Sequence, residues 1–184
     1  MRVFHSTEFA IDAGDEPRQG FARSQETAQF DQLRLERLRP FKCCLTAKDY
    51  SLLESRLTEL RARNTDPARL LARFMRAKLA DAEVVLPGDV AATVATTNSR
   101  IVYAVDEGAP SVAVLVHWEH TVARDFTLPI TTLLGATLLG MREGQQAPLL
   151  LGDGGIGKVF LKEVAFQPEA ARRTAGQHMT NLEP

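Results

Sequence analysis

Two runs of apolar residues at helical spacing, separated by only a few polar positions, constrain this chain more than any other feature. In the first run Tyr50, Leu53, Leu57 and Leu60 recur every three or four positions. In the second, Leu71, Phe74, Met75, Leu79 and Ala82 do so. Thr46 is placed to cap the first helix, and Asp49 stands where the positive end of the helix dipole favours an acid. Arg61 and Arg63 fall near the negative end, and Asn64-Thr65 makes a tight link. Asp66 can accept from the orphan amides of the second helix, and Pro67 suits its first turn. A link this short predicts an antiparallel helical hairpin over 45–86. About sixteen residues per helix give a length of roughly 25 Å.

Pro87-Gly88 ends the hairpin and opens a β-rich region over 87–171. Asp89–Val94 and Arg100–Val105 read as strands, and Ser111–Trp118 as a valine-rich buried one. Phe126–Ile130 is a short extended piece, and Thr131–Gly140 a helix of about three turns closed by its glycine. Ala147–Leu151 and Lys158–Phe166 read as a hairpin across a glycine-rich turn. The fold class expected is α+β: an N-terminal helical hairpin, then an antiparallel sheet packed on one short helix. Residues 1–42 read as a tail, mobile or partly helical over Ser24–Arg39, and 172–184 as a polar, frayed tail.

The bulk properties exclude several classes. A formal net charge of −1 leaves no global basic field to recruit nucleic acid, so any electrostatic recognition is local. No apolar run reaches the length of a membrane span, and the segment from Met1 to Ser6 lacks the layout of a secretory leader. The expectation is a cytoplasmic, monomeric protein without membrane contact. Cys43 and Cys44 are adjacent, which disfavours a bridge between them, so both are expected as free thiols.

Four signals tempt a chemical reading and fail on context. Gly152–Lys158 has the glycine and lysine spacing of a phosphate loop, but Val159 replaces the required hydroxyl and the chain continues as a strand. His117, Glu119 and His120 resemble metal ligands, yet residues three apart on a strand point to opposite faces, and no further ligand is evident. No nucleophile-elbow spacing supports a catalytic triad. Arg69, Arg73 and Arg76 form a basic stripe on the second helix, with Lys78 further round. A solvated polar face explains that stripe, with weak contact to acidic protein or RNA phosphate as the alternative. No catalytic residue, metal or cofactor is assigned, and the chain is not read as an enzyme.

Three strings then acquire a common meaning. Thr132-Leu-Leu-Gly135-Ala-Thr-Leu-Leu139-Gly140, followed by Arg142-Glu-Gly-Gln145, resembles the signature of the C-terminal, FKBP-like domain of Gre-type transcription elongation factors. Leu133 replaces the family proline. Thr97-Asn98-Ser99-Arg100 and Gln167-Pro168-Glu169-Ala170-Ala171 resemble strings of the short-hairpin branch of that superfamily, called regulator of nucleoside diphosphate kinase. The resemblance spans about Leu45 to Ala171. It implies binding to bacterial RNA polymerase at the rim of the secondary channel, with the hairpin entering the channel. Partner-binding residues implied in this way are Arg63, Asn64, Thr65 and Asp66 at the hairpin tip, and Thr132, Gly135, Leu139 and Gly140 in the globular part. Cleavage factors of the family carry acidic residues at a long tip, which help hold a second magnesium ion. Here the hairpin is short, and Arg61–Pro67 holds one carboxylate. The expected activity is occupancy without cleavage, in competition with cleavage factors. The alternatives are an active cleavage factor, or an FKBP-like binding or isomerase module unrelated to transcription.

Overall fold

Helix α1 spans Ala47–Ala62, and its cap is the one the sequence predicts: Thr46 Oγ1 accepts the Asp49 N–H at 3.0 Å. Arg63 ends the helix, its N–H donating to Leu60 O at 3.1 Å. Helix α2 spans Asp66–Asp81, and its start corrects the expected capping. Thr65 takes the N-cap position without a side-chain bond, and Asp66 lies inside the first turn. The Asp66 carboxylate meets Arg69 Nη1 at 3.0 Å, a charged partner one turn further on. The two helices pack against one another, burying Leu53, Leu57 and Leu60 of α1 and Ala68, Leu71, Met75 and Leu79 of α2. The computed structural model describes residues 42–63, 65–117, 126–152 and 154–180, so the tail read over 1–41 lies outside the described residues.

Short strands close the base of this helix pair. β1 (Cys44–Thr46) runs into α1 and pairs in parallel with β2 (Glu83–Val85), which leaves α2. Asp89–Val94, expected as a strand, instead turns twice. Asp89 N–H donates to Leu86 O and Val94 N–H to Ala91 O, both at 3.0 Å, so these backbone groups serve turns rather than a ladder. Its apolar residues Val90 and Val94 pack in a small cluster with Cys44. Both cysteines are free and buried.

The main sheet contains β3 (Arg100–Val105), β4 (Ser111–Val116), β5 (Thr127–Pro129), β6 (Gln146–Leu150) and β7 (Ile156–Phe166), in the order β5-β4-β3-β7-β6. Every pairing is antiparallel except β4 with β5, which is parallel and corrects the all-antiparallel expectation. Two register shifts between β3 and β7 disrupt the ladder locally and raise the sheet's twist. Pro148 sits on the edge strand β6, where a missing N–H costs no ladder bond. Helix α3 (Leu133–Leu138) packs on β5, β6 and β7. It is six residues long, shorter than expected, because 129–132 form a turn in which Thr132 N–H donates to Pro129 O at 3.1 Å. A fourth helix, α4 (Pro168–Thr180), occupies the stretch expected to fray. Pro168 suits a helix start, and Glu169 complements the dipole in the first turn. Arg173 Nη1 pins α4 to Pro87 O and Gly88 O at 3.2 and 3.3 Å.

One apolar cluster joins sheet and helices: Ile101, Leu115, Val159 and Leu161 from the sheet, Leu53, Phe74, Met75 and Leu79 from the helix pair, and Leu138, Leu139 and Met141 around α3. The base of the helix pair is therefore part of the core. Its far end differs, since Arg61–Arg63 and Thr65–Pro67 are exposed.

Lys78 corrects the reading of α2 as having one cationic solvent face. It is 2% exposed, and its ammonium donates to Thr137 O at 3.1 Å, tying α2 to α3. Burial pushes its pKa below the usual lysine range, with the nearby Cys43 thiol acting weakly the other way. A folded pKa below the unfolded one adds stability above the unfolded pKa that is lost as pH falls through the folded one. Lys78→Met should therefore unfold at a midpoint higher by roughly 2–4 °C at pH 7, a gain of about 1 kcal/mol. That advantage should shrink as pH rises toward about 10, as thermal melts across pH would read.

Candidate partner-docking surface

The exposed end of the helix pair carries Arg61, Arg63, Thr65 and Asp66. Asn64 lies outside the described residues. Asp66 is the one carboxylate of the stretch 61–67, and it is paired with Arg69 across one helical turn. That geometry makes the end net cationic and leaves its acid partly neutralised. Among the described residues no group of three or more His, Cys, Asp or Glu is placed to hold a metal ion. His117 is half-buried, and burial together with the neighbouring Arg56 cation holds its pKa below the usual imidazole value. A cation beside it opposes metal binding there. Glu119 and His120 lie outside the described residues.

The glycine-bearing segment 132–140 is built for close packing. Thr132 is exposed and caps α3, accepting the Gly135 N–H at 3.0 Å while its hydroxyl donates to Pro129 O at 2.8 Å. A Cβ on Gly135 would stand 2.1 Å from Pro129 O, so only glycine fits. Gly140 has φ +78°, and a Cβ there would meet Cys44 O and Leu45 Cδ2 at 2.8 Å. Leu139 is fully buried. Of the four residues singled out here, Thr132 alone reaches solvent. The other three shape the segment from inside.

The two strings from the distant ends of the β-rich region meet in space. Thr96 N–H donates to Ser99 Oγ at 3.0 Å, and Thr96 Oγ1 donates to Glu169 Oε2 at 2.7 Å. Asn98 between them takes a positive φ of 69°, which asparagine tolerates well. Gln167 Nε2 donates to Ala91 O and Val94 O, both at 2.8 Å. Ser99 and Glu169 are thus joined through Thr96, and Gln167 holds the turns just before them, in one internal clasp. Asp49 joins it from α1, accepting the Thr97 N–H at 3.3 Å. Sequence reasoning gave Asp49 a helix-dipole role and missed this clasp. The only signal in the chain was the spacing of serine, threonine and acid residues in segments otherwise rich in alanine.

Neither a family model nor a curated protein matches the chain. Among solved structures it is similar to the prokaryotic transcription elongation factor GreA/GreB from Nitrosomonas europaea, at 26% identity and a TM-score of 0.50, over 68% of this chain and 99% of that one. This likeness supports the resemblance to Gre-type factors. Two further Gre-type structures are similar to it: the Gfh1 protein of Thermus thermophilus, at 18% identity over 66% of this chain and 97% of that one with a TM-score of 0.31, and Thermus aquaticus Gfh1, at 16% over 66% and 96% with a TM-score of 0.33.

The close packing and the buried acid have measurable consequences for stability. Gly135→Ala should cost roughly 3 kcal/mol in chemical denaturation, since a backbone carbonyl cannot give way, whereas Gly88→Ala, with open space around it, should change stability by less than about 0.5 kcal/mol. Burial, reinforced by Glu169, pushes the Asp49 carboxyl pKa up despite hydrogen bonds from Thr97 and Thr46. A raised folded pKa confers stability that is complete below the unfolded value of about 3.9 and is lost as pH rises through the folded value. Asp49→Asn keeps an acceptor for Thr97. It should equal the natural chain near pH 4 and exceed it in unfolding free energy at pH 7.

Proposed function

We propose that this chain is a transcription factor that binds bacterial RNA polymerase at the rim of the secondary channel and does not promote RNA cleavage. The observation that carries the proposal is the exposed end of the helix pair, where the one carboxylate of 61–67, Asp66, is held by Arg69. A second magnesium ion needs hard oxygen ligands that are free to coordinate. A cationic end with a paired aspartate supplies no such set. The reading takes the pair as an antiparallel hairpin of about 24 Å per helix, too short to reach deep into a channel.

The finer placement belongs to the same proposal. The curled sheet with α3 on one face supports an FKBP-like domain, and the clasp between 96–100 and 167–169 supports the short-hairpin branch. The partner surface combines Arg63, Asn64, Thr65 and Asp66 at the end of the helix pair with the exposed side of the 132–140 segment at Thr132. Gly135, Leu139 and Gly140 set the shape of that segment. The protein acts as a monomer in the cytoplasm, needs no cofactor and competes with cleavage factors. Among the described residues no helix is long and apolar enough to cross a membrane.

Purified core polymerase should capture the full chain at micromolar concentration, and a cleavage-competent Gre factor should displace it. In stalled elongation complexes the chain should leave RNA lengths unchanged. Charge reversal at Arg61 and Arg63 together should weaken polymerase binding about tenfold, equivalent to about 1.4 kcal/mol. Magnesium-dependent RNA shortening that disappears in Asp66→Ala would replace this proposal with an active cleavage factor. Failure to bind polymerase at all would reject both.

A further inference from the structure

Lys78 is a long polar side chain closed inside the core, on the side of α2 that also buries Phe74 and Met75. Its ammonium donates to Thr137 O. That carbonyl belongs to the last turn of α3, where a helix runs out of its own donors. Met141 N–H, four residues on, donates to Leu138 O at 3.1 Å instead. Thr137 is itself held, its hydroxyl donating to Leu133 O at 2.7 Å. The exit from α3 is fixed where Gly140 N–H donates to Ala95 O at 2.7 Å. The acceptor is therefore a fixed point of the body, and Lys78 joins α2 to it. Such a bond is a poor source of stability. A lysine taken out of water is costly to hold, and replacing buried charged groups by apolar ones of similar volume is often neutral or stabilising. The apolar contacts of Phe74, Met75 and Leu79 hold α2 on the core without direction. They resist separation of the helix from the core but set its tilt and rotation weakly. A hydrogen bond to one carbonyl is directional. The exposed end at Asp66 lies about 18 Å along α2 from Lys78, so a tilt of about 10° displaces that end by about 3 Å.

We propose that Lys78 is a positioning residue: through the Thr137 carbonyl it fixes the angle at which the helix pair leaves the body, and with it the distance from the end of the pair to Thr132. Those two places are the two parts of the partner surface. The bond stands between them, since Thr132 caps the start of α3 and Thr137 lies in its last turn. A partner that touches both parts needs them at one spacing. A chain whose helix pair samples several angles presents that spacing only part of the time, and its apparent affinity falls by the same fraction. The role in docking rests on the polymerase reading. The angle itself does not.

Nitroxide labels at Thr58→Cys, near the far end of α1, and at Lys162→Cys on β7 report the angle, since both sites are exposed while Cys43 and Cys44 are buried. The full chain, otherwise natural, should give a single narrow distance in frozen solution. Lys78→Met should broaden that distribution or displace it by about 3 Å, at unchanged helical content and with the raised melting temperature expected above. Lys78→Leu, a second apolar replacement, should behave alike. Leu149→Ala supplies the opposite case: it empties part of the core within the body, lowers the melting temperature and should leave the distance narrow. Without labels, Lys78→Met should bind core polymerase about fivefold more weakly, as when the docking angle is populated about one fifth of the time. A distance as narrow and as long in both apolar variants as in the natural chain would overturn the inference, because packing alone would then set the angle. Both variants failing to fold, or melting below the natural chain, would also overturn it, because the bond would then serve stability. A broadened distance with unchanged polymerase affinity would remove the docking role. If the natural chain does not bind polymerase, the polymerase reading falls by itself, and the distances still decide whether Lys78 sets the angle.

Discussion

The fold turns on one backbone junction at Gly140. Its N–H donates to Ala95 O at 2.7 Å, its carbonyl accepts the Cys44 N–H at 3.0 Å, and Ala95 N–H donates to Met141 O at 2.9 Å. Three segments far apart in the chain are tied there: the strand that leads into the helix pair, the turn before β3, and the exit from α3. A side chain at Gly140 would collide with the backbone of Cys44, and the positive φ would strain it further. The close approach explains why a glycine closes this segment, and why the base of the helix pair shares one core with the sheet.

Around that junction the joint between helix pair and body is polar to an unusual degree for a core. Lys78 reaches Thr137 O and Asp49 reaches Thr97 across that joint, and Glu169 reaches Thr96 within the body itself, all in buried surroundings. Buried charge is expensive to hold, and each group here has a directional partner. Apolar packing alone would let two amphipathic helices slide or rotate on a sheet. Directional bonds to specific carbonyls and amides set their angle. For a protein proposed to present the end of a helix pair to a large partner, that angle decides where the end points.

The legible parts of the chain were those governed by local periodicity. Leu53, Leu57 and Leu60 and their counterparts in α2 announce two helices, and Thr46 announces a cap, because both depend on residues within a turn of one another. The strands β3, β4, β6 and β7 were similarly legible, β4 from its valines and the others from extended segments bounded by turn residues. Asp89–Val94 was not, because its valines serve a local cluster with Cys44 while its backbone groups close turns. The helix at Pro168–Thr180 was hidden because its anchors, Gln167, Glu169 and Arg173, bind residues some eighty positions away. Lys78 sits three residues after Met75 and four after Phe74 on the apolar seam of α2, a placement that hints at burial but cannot name Thr137 as its partner.

The sequence by itself determined the α+β class, the helix pair with its short link, the single acid at the link, and the motif strings that resemble those of Gre-type factors. These are properties of spacing and residue type, which act over a few residues. Tertiary structure decided that Asp66 pairs with Arg69 instead of capping, that Gly135, Leu139 and Gly140 work inside the fold, and that the two motif strings close on each other. It also decided that β5 runs parallel to β4. Each of these rests on contacts between segments remote in sequence, or on a choice between rival local partners that only packing resolves.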